Sequence, residues 1–470
     1  MAKTYIFAIG GTGSRVLKSL AFLLSSGVEC NTDSIIPIII DPDDANGDVS
    51  RTVDVLKQYQ EIRKKLKFSD AHPNQFFKVK VDSLPESTNF KLRVEDSSVR
   101  FKEYIDYSNL DRKNKALASI LFSENNLNAD MEVGFKGNPN IGSVVLNQFQ
   151  NSQGFQDFAS SFVEGDRIFI ISSIFGGTGA AGFPLLLKNI RSASEELASW
   201  QLLRNAPVGA ISVLPYFGVK NDADSEIDRS TFISKTKAAL QYYLKGVNKS
   251  VNQMYYIADK IMNDYENNEG GTVQKNKAHL MEFLSGLAVI DFINTSSENL
   301  EGENKVKEFG IETESSNLTF TNFYSSTKSK LFKPLSSYYY FRYYLKNMLS
   351  SNLEMKFAKE IDLKKDFLTS DFYLALDKFN NHYWDWLKEL SENERGLSLY
   401  TLKDGENVFH SITGIEPKGG GILGMLKGKD NNNRLTAQLN KNAKKHNENI
   451  ENNFMNLFYK SMSNVIEEKY

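Results

Sequence analysis

The sequence predicts an α/β fold built on a parallel sheet, and three features of the chain support this. Continuous apolar runs occur at 4–9, 35–40 and 167–175, and such runs are typical of strands that are buried on both faces. Stretches with apolar residues at helical spacing follow, for example at 14–24 and 49–66. A strand, a glycine turn and a helix follow one another twice, which indicates a sheet covered by helices.

The first of these units begins with the strand TYIFAI, which meets Gly-Gly-Thr-Gly at 10–13 and then a helix. The second strand, IIPIII, ends in Asp-Pro-Asp-Asp at 41–44, and we expect a helix from about 49 to 66. Residues 67–130 are mixed and polar, and we interpret them as helices and loops.

The second unit lies further along the chain. A loop rich in glycine and asparagine, GFKGNPNIG at 134–142, precedes the strand RIFIISSIF at 167–175. A second glycine turn and a helix are then predicted by GGTGAAGFPLLLKNIR at 176–191. The glycine turn after a buried strand is the only internal repeat that the sequence indicates.

Further strands and helices complete this half of the chain. Strands are predicted at 207–217 and 254–259, with a helix between them near 228–245. Asn276-Lys277-Ala278-His279 then opens a long apolar helix that reaches about Phe292.

The chain changes in character beyond 295. The segments SSYYYFRYYLKNML at 336–349 and FYLALDKFNNHYWDWLKEL at 372–390 are aromatic and helical in pattern. We interpret 418–433, which is rich in glycine and asparagine, as a mobile loop, and 434–469 as one polar helix with few apolar anchors. The sequence therefore predicts two parts, a sheet-containing domain at 1–294 with the central helix, and a largely helical region at 295–470.

Composition limits the classes of partner. The 56 basic and 58 acidic residues nearly cancel, giving a net charge of −2, so no nucleic-acid-binding surface is expected. The single cysteine, Cys30, excludes an intramolecular disulfide framework and fits a reducing compartment. The apolar runs are too short to span a bilayer. We therefore expect a cytoplasmic protein without a membrane span.

The two glycine turns are candidates for binding phosphate. A glycine turn between a strand and a helix lets backbone N–H groups approach phosphate oxygens, and the helix dipole adds partial positive charge. Glycine at such a turn also serves tight corners without a ligand, so two turns in one domain favour a site more than one does.

The second turn carries a resemblance to a known family. FGGTGAAGFP at 175–184 is similar to the glycine-rich signature loop of the tubulin/FtsZ superfamily. GFKGNPNIG resembles that family's third loop, and the strand and loop at 207–217 resemble its next strand and ribose-side loop. IADK at 257–260 and the Asn276 segment resemble its later loop and the start of its central helix. The similar segments follow the family's order over residues 3–293.

The resemblance implies a guanine nucleotide, GTP or GDP, with Mg²⁺ held mostly by phosphate oxygens and water. The inner phosphates would contact Gly10, Gly11, Thr12, Gly13 and Ser14. The phosphate chain would lie on Gly176, Gly177, Thr178, Gly179 and Ala180. The terminal phosphate would lie near Gly137, Asn138 and Gly142.

Three further candidates each have an alternative interpretation. Asp41 or Asp44 would lie near the metal or the phosphates, although an acidic pair there could simply cap the following helix. Asp228, with Asp224 and Glu226, would face the ribose, although an exposed acidic loop would look the same. Asn276 would read the guanine edge with its amide, or it could be a helix N-cap.

The chain also departs from the family at three points. Ala258 stands where FtsZ has an asparagine, so part of guanine recognition is changed. The central helix continues into VIDFINTSSENLEGEN at 289–304, which has no counterpart of the loop that supplies a catalytic carboxylate to the neighbouring subunit. The region after 295 does not resemble the compact sheet domain of FtsZ, which indicates a divergent prokaryotic member of the superfamily.

These features favour a tubulin-like assembly or switch protein with weak or partner-dependent GTPase activity. We expect self-association into filaments and a protein partner bound through the C-terminal half. A scaffold that keeps the nucleotide as a structural ligand is an alternative. So is a dinucleotide-binding oxidoreductase, although Asp41 lies twenty-eight residues beyond Gly13 instead of about twenty. The five histidines lack metal-ligand spacing, so no catalytic residue or protein metal site is assigned.

Overall fold

The computed structural model describes most of the chain. The residues outside the described part are 1, 44, 70–72, 86, 88, 94–98, 132–134, 136–137, 217, 220–228, 260–263, 266–270, 272–274, 303, 309, 312, 314, 402–406, 419–431 and 447–448. The predicted site residues Asp44, Gly137 and Asp228 therefore lie outside the described residues. Most of the predicted loop at 418–433 lies outside them as well.

The strands of the structure are short and most belong to one sheet. In chain order they are β1 (Lys3–Ile9), β2 (Ser34–Ile40), β3 (Lys80–Val81), β4 (Arg167–Ser173), β5 (Val208–Val213), β6 (Gly218–Val219), β7 (Gln253–Ile257), β8 (Asp264–Tyr265), β9 (Lys305–Glu308), β10 (Asn317–Leu318) and β11 (Gly396–Leu397).

Helices make up most of the rest of the described chain. The α-helices are α1 (Gly10–Ser25), α2 (Gly47–Lys64), α3 (Phe101–Tyr104), α4 (Arg112–Leu121), α5 (Glu124–Leu127), α6 (Pro139–Val145), α7 (Gln153–Ser161), α8 (Gly177–Arg191), α9 (Trp200–Asn205), α10 (Arg229–Lys245), α11 (Leu280–Asn294), α12 (Ser297–Leu300), α13 (Ser325–Asn347), α14 (Lys356–Glu360), α15 (Asp371–Ser391), α16 (Asn433–Asn442) and α17 (Ile450–Lys469). Short 3₁₀ helices occur at Tyr107–Asn109, Leu146–Asn151, Val247–Ser250, Phe320–Asn322, Ser350–Asn352, Lys365–Thr369 and Val408–His410.

The predicted α/β fold with a parallel sheet is confirmed. Seven strands form one sheet in the order β3-β2-β1-β4-β5-β7-β9, and every pair within it is parallel. The predicted strands at 4–9, 35–40, 167–175, 207–217 and 254–259 correspond to β1, β2, β4, β5 and β7. Strand β9 was not predicted, because its residues KVKE are few, mostly charged and mostly exposed.

Both faces of the sheet are covered, as the continuous apolar strands predict. In β1, Ile6 and Ala8 face a core formed with α1, α2 and α11, whereas Tyr5, Phe7 and Ile9 face a second core formed with α7 and α8. The side chains of a strand alternate between its faces, so a strand in the middle of such a sheet must be apolar at every position.

The C-terminal helices pack on the first of these faces. Trp386 of α15 contacts Phe22 of α1 and Phe283 of α11, with ring centroids 5.1 and 6.0 Å apart. Helices α13 and α17 join the same core through Tyr338, Phe341 and Phe458, among others. The C-terminal half therefore shares its core with the face of the sheet that carries α1, and the division of the chain at residue 295 stays a prediction.

Three expectations about helices are corrected. The central helix α11 begins at Leu280, and its N-cap is His279, not Asn276. The N-cap of α2 is Asn46, whose side chain accepts from the backbone N–H groups of Asp48 and Val49. An acidic pair is therefore not the cap of α2.

The third correction concerns the final segment. Residues 434–469 form two helices, α16 and α17, in place of one polar helix. Helix α17 is anchored by seven buried apolar side chains, which are Phe454, Met455, Leu457, Phe458, Met462, Val465 and Ile466. Its asparagines and glutamates obscure this apolar stripe in the sequence. Among the described helices, none is both long enough and apolar enough to cross a membrane.

Candidate functional site

The two glycine turns meet at the point where the sheet reverses its winding. Strands β1 and β4 are parallel neighbours, with Phe7 opposite Ile170 and Ala8 opposite Ile171. From β1 the chain winds to β2 and β3 on one side, while β4 leads to β5, β7 and β9 on the other. Crevices at the carboxyl ends of such adjacent strands are where open α/β sheets bind ligands.

Two helix N-termini point into this crevice. Helix α1 begins at Gly10 directly after β1, and α8 begins at Gly177 shortly after β4. Within the described residues, neither helix start has a side chain that caps its N–H groups. The first N–H groups of a helix lack partners inside the helix, and the macrodipole places partial positive charge there. The arrangement therefore suits an anion such as a phosphate group.

Close packing alone accounts for some of the glycines. A Cβ atom on Gly13 would lie 2.8 Å from the carbonyl carbon of Ala8, and one on Gly179 would lie 2.6 Å from the carbonyl oxygen of Ser173. Gly10 has a φ of 72°, which favours glycine, and a Cβ there would lie 3.7 Å from the Cβ of Thr178. The last distance shows that the two turns touch each other.

Gly11 differs from its neighbours because nothing in the fold requires glycine there. It is partly exposed, its φ is not positive, and an added Cβ would meet Asn46 Nδ2 at 3.6 Å and Arg15 Nη1 at 3.8 Å. These are ordinary contact distances. The missing side chain therefore leaves the backbone of Gly11 partly exposed beside Asn46 and Arg15.

The third loop lies against the second turn. An added Cβ on Gly142 of α6 would lie 2.8 Å from Ala181 Cβ and 3.2 Å from the oxygen of Gly177. Asn138, which precedes α6, is half-buried at the same place. The described parts of the three loops are thus brought together, with Gly176, Thr178 and Ala180 partly exposed along the crevice.

Two of the predicted phosphate ligands face inward. The hydroxyl of Ser14 is buried and donates to the oxygen of Gly10 at 3.2 Å. Thr12 is 9% exposed, and its Oγ1 lies 3.4 Å from Nη2 of Arg15. Asp41 is half-buried at the end of β2, and its Oδ1 accepts from the N–H of Asp43.

A buried charged cluster below the first turn is the main feature that sequence reasoning missed. Arg15 of α1 donates from Nη1 to Asp48 Oδ2 at 2.9 Å and from Nε to Glu282 of α11. Arg51 donates from Nη2 to Asp48 Oδ1 at 2.7 Å. Two further members are Lys18 of α1 and Glu389 of α15, whose charged atoms are 3.6 Å apart.

The sequence does contain a signal for this cluster. Arg15 and Lys18 stand on one side of the otherwise apolar helix α1, and Glu282 stands in the apolar helix α11. A charged residue inside an apolar helix must be paired if it is buried. A search for such residues would have found the members, although not their pairing.

Asn276 is bound to this cluster. Its backbone N–H donates to Asp48 Oδ1 at 3.0 Å, and its Nδ2 donates to Asp48 Oδ2 at 2.8 Å. The backbone oxygen of Asn276 accepts from Arg51 Nη2. The segment before α11 is therefore held at the first turn of α2, close to Gly11.

The electrostatics of the cluster follow from burial and pairing. Burial opposes ionisation of Asp48, but Arg15 and the hydrogen bonds from Arg51 and Asn276 outweigh it, so the pKa of Asp48 lies below its usual value. Burial raises the pKa of Glu282 in spite of Arg15. Burial, with contributions from Arg15 and Arg395, lowers the pKa of His279 to about 4, so this imidazole is neutral at neutral pH.

Other polar groups near the carboxyl end of the sheet are also engaged. The ring of Tyr216, after β5, lies 4.6 Å from that of His279, and its hydroxyl lies 3.3 Å from Arg15 Nη2. Asp259, after β7, pairs with Arg395. Within the described ranges, no group of three or more His, Cys, Asp or Glu side chains is placed to hold a metal ion.

Comparison with known proteins finds a similarity only among solved structures. The sequence matches no known family model and no curated protein. Among solved structures, the chain is similar to a GTPγS-bound protofilament of CetZ2 from Haloferax volcanii, with 12% identity and a TM-score of 0.30. The similarity covers 63% of this chain and 61% of that chain, so the chain spans less than two thirds of the length of that protein.

Proposed function

We propose that this protein binds a guanine nucleotide, GTP or GDP, in the crevice between the two glycine turns, and that it is a divergent tubulin-like assembly or switch protein. The observation that carries this proposal is the meeting of two helix N-termini, each formed by a glycine turn, where the sheet reverses its winding. The order of the loops along the sequence, with its resemblance to the tubulin/FtsZ superfamily, supports a nucleotide over a simple anion.

The phosphate chain would lie across the first turns of α1 and α8. Backbone N–H groups near Gly11 and in the first turn of α8 would bind the phosphate oxygens, because Gly11, Gly176 and Thr178 are partly exposed. Asn138 would lie nearest to the terminal phosphate. Mg²⁺ would be held by phosphate oxygens and water, with Asp41 nearby to accept hydrogen bonds from that water.

Guanine selectivity would come from Asn276. Its backbone N–H and its side-chain Nδ2 both donate to Asp48, so we assign its side-chain oxygen as the atom offered to a base. Guanine presents N1–H and a 2-amino group on its Watson–Crick edge, whereas adenine has an acceptor at N1. An acceptor held in place by Asp48 would therefore favour GTP over ATP.

Titration of the full chain with GTP, GDP, ATP and NAD, with and without Mg²⁺, tests this proposal by thermal shift and calorimetry. Gly11→Ala should stay folded, because the new methyl group meets its neighbours at ordinary distances. It should lose about tenfold or more of the GTP affinity, because the methyl group, placed beside Asn46 and Arg15, narrows the approach of the phosphates to this turn.

The matched control is Gly310→Ala, since an added Cβ at Gly310 meets nothing within 4 Å. This variant should bind GTP as the unchanged protein does. Full GTP affinity in folded Gly11→Ala protein would contradict the proposed position of the phosphates. No binding of any nucleotide to the unchanged protein would reject the proposal itself.

The same titration also tests two alternative functions. The order β3-β2-β1-β4-β5 is also the order in dinucleotide-binding folds, and binding of NAD in preference to GTP would favour an oxidoreductase. A scaffold with a structural nucleotide is favoured by the contacts of Asp291, an acidic residue in the last turn of α11. Its carboxylate is bound to Lys307 and Tyr255 and is therefore already engaged, not available to activate water. Nucleotide that co-purifies and is released only on unfolding would support that alternative.

A further inference from the structure

The C-terminal half reaches the candidate site through the end of α15. Glu389 lies on the last turns of this helix and is the one carboxylate of the charged cluster, as described above, that the C-terminal half provides. Its Oε1 accepts from Arg51 Nη1 at 2.9 Å, and its Oε2 accepts from the backbone N–H of Ala278 at 2.8 Å. Lys18 Nζ lies 3.6 Å from the same Oε2 atom.

Ala278 is held on both sides of its backbone by this part of the chain. Asn393, just beyond α15, donates from Nδ2 to the oxygen of Ala278, while Glu389 accepts from its N–H. Ala278 is only two residues beyond Asn276. The end of α15 therefore fixes the backbone that carries Asn276, whereas Asp48 fixes the Asn276 amide.

The charges of the cluster are balanced. Three cations face three carboxylates, and they are Arg15, Lys18, Arg51, Asp48, Glu282 and Glu389. Burial lowers the pKa of Lys18, and Glu389 is the largest influence opposing that decrease. Loss of the Glu389 charge would leave one cation in excess beside the segment that carries Asn276.

We propose that Glu389 is a positioning residue for base recognition, so that the C-terminal half sets the nucleotide selectivity of the crevice. This inference rests on the proposed nucleotide site. Glu389 does not touch the nucleotide. It holds Arg51 and Ala278, and together they hold Asn276 in the position from which its oxygen meets the guanine edge.

If Glu389 positions Asn276, its replacement should change nucleotide selectivity, which general destabilisation of the protein would not do. In Glu389→Gln the amide can accept from Arg51 or from Ala278 but not from both as a carboxylate does. The segment around Asn276 should become free to move, and the ratio of GTP to ATP affinity should fall on the order of tenfold. Binding of inorganic triphosphate should change little, because the glycine turns are untouched.

Two variants separate this effect from simple structural damage. Glu392→Gln is the matched control, because Glu392 lies one turn from Glu389 and pairs with the exposed side chain of Lys277; its affinity ratio should equal that of the unchanged protein. The double variant Lys18→Met with Glu389→Gln restores the charge balance. It should still have the reduced ratio, because the hydrogen bond to Ala278 is still weakened.

Calorimetric titration of the full chain and these variants with GTP, ATP and inorganic triphosphate decides the matter, with thermal unfolding measured on the same samples. A folded Glu389→Gln protein with an unchanged GTP to ATP ratio overturns the inference. So does a double variant that recovers the full ratio, because charge imbalance alone would then be the cause. If the unchanged protein binds triphosphate but does not distinguish GTP from ATP, the inference fails and phosphate binding stands. If it binds neither, the proposed function itself fails.

Discussion

Asp48 is the residue that joins three elements below the first glycine turn. Its two oxygens accept from Arg15 of α1, from Arg51 of α2, and from the backbone N–H and Nδ2 of Asn276. A buried carboxylate is tolerated only when it is paired in this way. The position of Asp48 in the first turn of α2 is also favourable for a negative charge.

At Asn276, we expect replacement by alanine to weaken GTP binding and to change ATP binding little. The reason is that the variant loses the side-chain oxygen that would face guanine, while the backbone N–H can still donate to Asp48. Calorimetry with both nucleotides measures the effect. An equal loss for GTP and ATP would indicate that Asn276 only stabilises the cluster, and the thermal midpoint of the variant shows how large that contribution is.

His279 should make the stability of the protein depend on pH. Its pKa is about 4 in the folded chain and about 6.5 when unfolded. Between these values the unfolded state takes up a proton that the folded state does not, so the free energy of unfolding falls as the pH falls from about 6.5 to about 4. The contribution of one such group is at most about 1.4 kcal/mol per pH unit.

The variant His279→Asn isolates this contribution. Asparagine retains an acceptor for the N–H of Met281, which His279 caps through Nδ1, but it does not titrate in this range. Urea unfolding at several pH values between 4 and 7 should therefore show a smaller pH dependence for the variant. Equal slopes in the two proteins would show that His279 is protonated in the folded state as readily as in the unfolded one.

At the scale of elements, α1 is the helix that connects the candidate site to the core. One end of it begins in the candidate site, and its apolar residues pack between the sheet, α11 and α15. Trp386 of α15 closes this contact, since its ring meets Phe22 and its Nε1 donates to Ser19 Oγ at 3.0 Å. The helix that carries the first glycine turn is thus covered by the C-terminal half.

Replacing Trp386 tests this packing. Trp386→Ala should lower the free energy of unfolding by about 3–5 kcal/mol, because it leaves a large cavity in the core. Trp386→Phe keeps most of the ring contacts and loses the hydrogen bond to Ser19, at a cost of about 1 kcal/mol plus that of the smaller ring. Denaturant unfolding measures both. Leu374→Ala, at an exposed position of the same helix, is the control and should change stability by less than about 0.5 kcal/mol.

An element can be predicted from the sequence when the residues that determine it lie within one segment. The buried strands and α1, α2, α8 and α15 were predictable because their apolar spacing lies within one segment. The edge strand β9 was not, because only its pairing with β7 makes it a strand. The pairing of Arg15 with Asp48 was also beyond reach, since it depends on a contact between segments that are distant in the sequence. The N-cap at His279 is a local contact, but histidine is not among the preferred N-cap residues.

The candidate site also has features that the sequence predicts and features that it does not. The glycine turns were predictable from their position after strands, and the structure brings the described parts of these turns together. Close packing requires glycine at positions 13 and 179 but not at position 11. The sequence alone could not distinguish Gly13 and Gly179 from Gly11 in this respect. That distinction depends on the distance to backbone atoms of other elements.

At the scale of the whole molecule, we expect nucleotide binding and turnover to be separable. The sequence at 289–304 has no counterpart of the loop that, in the superfamily the chain resembles, supplies a carboxylate to the neighbouring subunit. Asp291, an acidic residue in the last turn of α11, accepts from Lys307 Nζ and Tyr255 OH, both at 2.7 Å. GTP turnover by the isolated protein should therefore be slow and should not rise steeply with protein concentration.

Phosphate release measured against protein concentration, with light scattering and electron microscopy of the same samples, checks this expectation. Asp291→Asn should leave the rate unchanged. Rapid turnover that increases steeply with concentration, accompanied by straight head-to-tail filaments, would show that another residue positions the attacking water.

The parallel sheet also constrains how the chain acquires its structure during synthesis. Ala8 of β1 pairs with Ile171 of β4, so a ribosome must add more than 160 residues before the first strand meets its second neighbour. The apolar face of α1 is covered by Trp386 only after a further two hundred or so residues. Contacts this distant form slowly, and the surfaces that await them are prone to aggregation. The nascent chain should therefore expose α1 for most of its synthesis and should depend on chaperones that shield apolar helices.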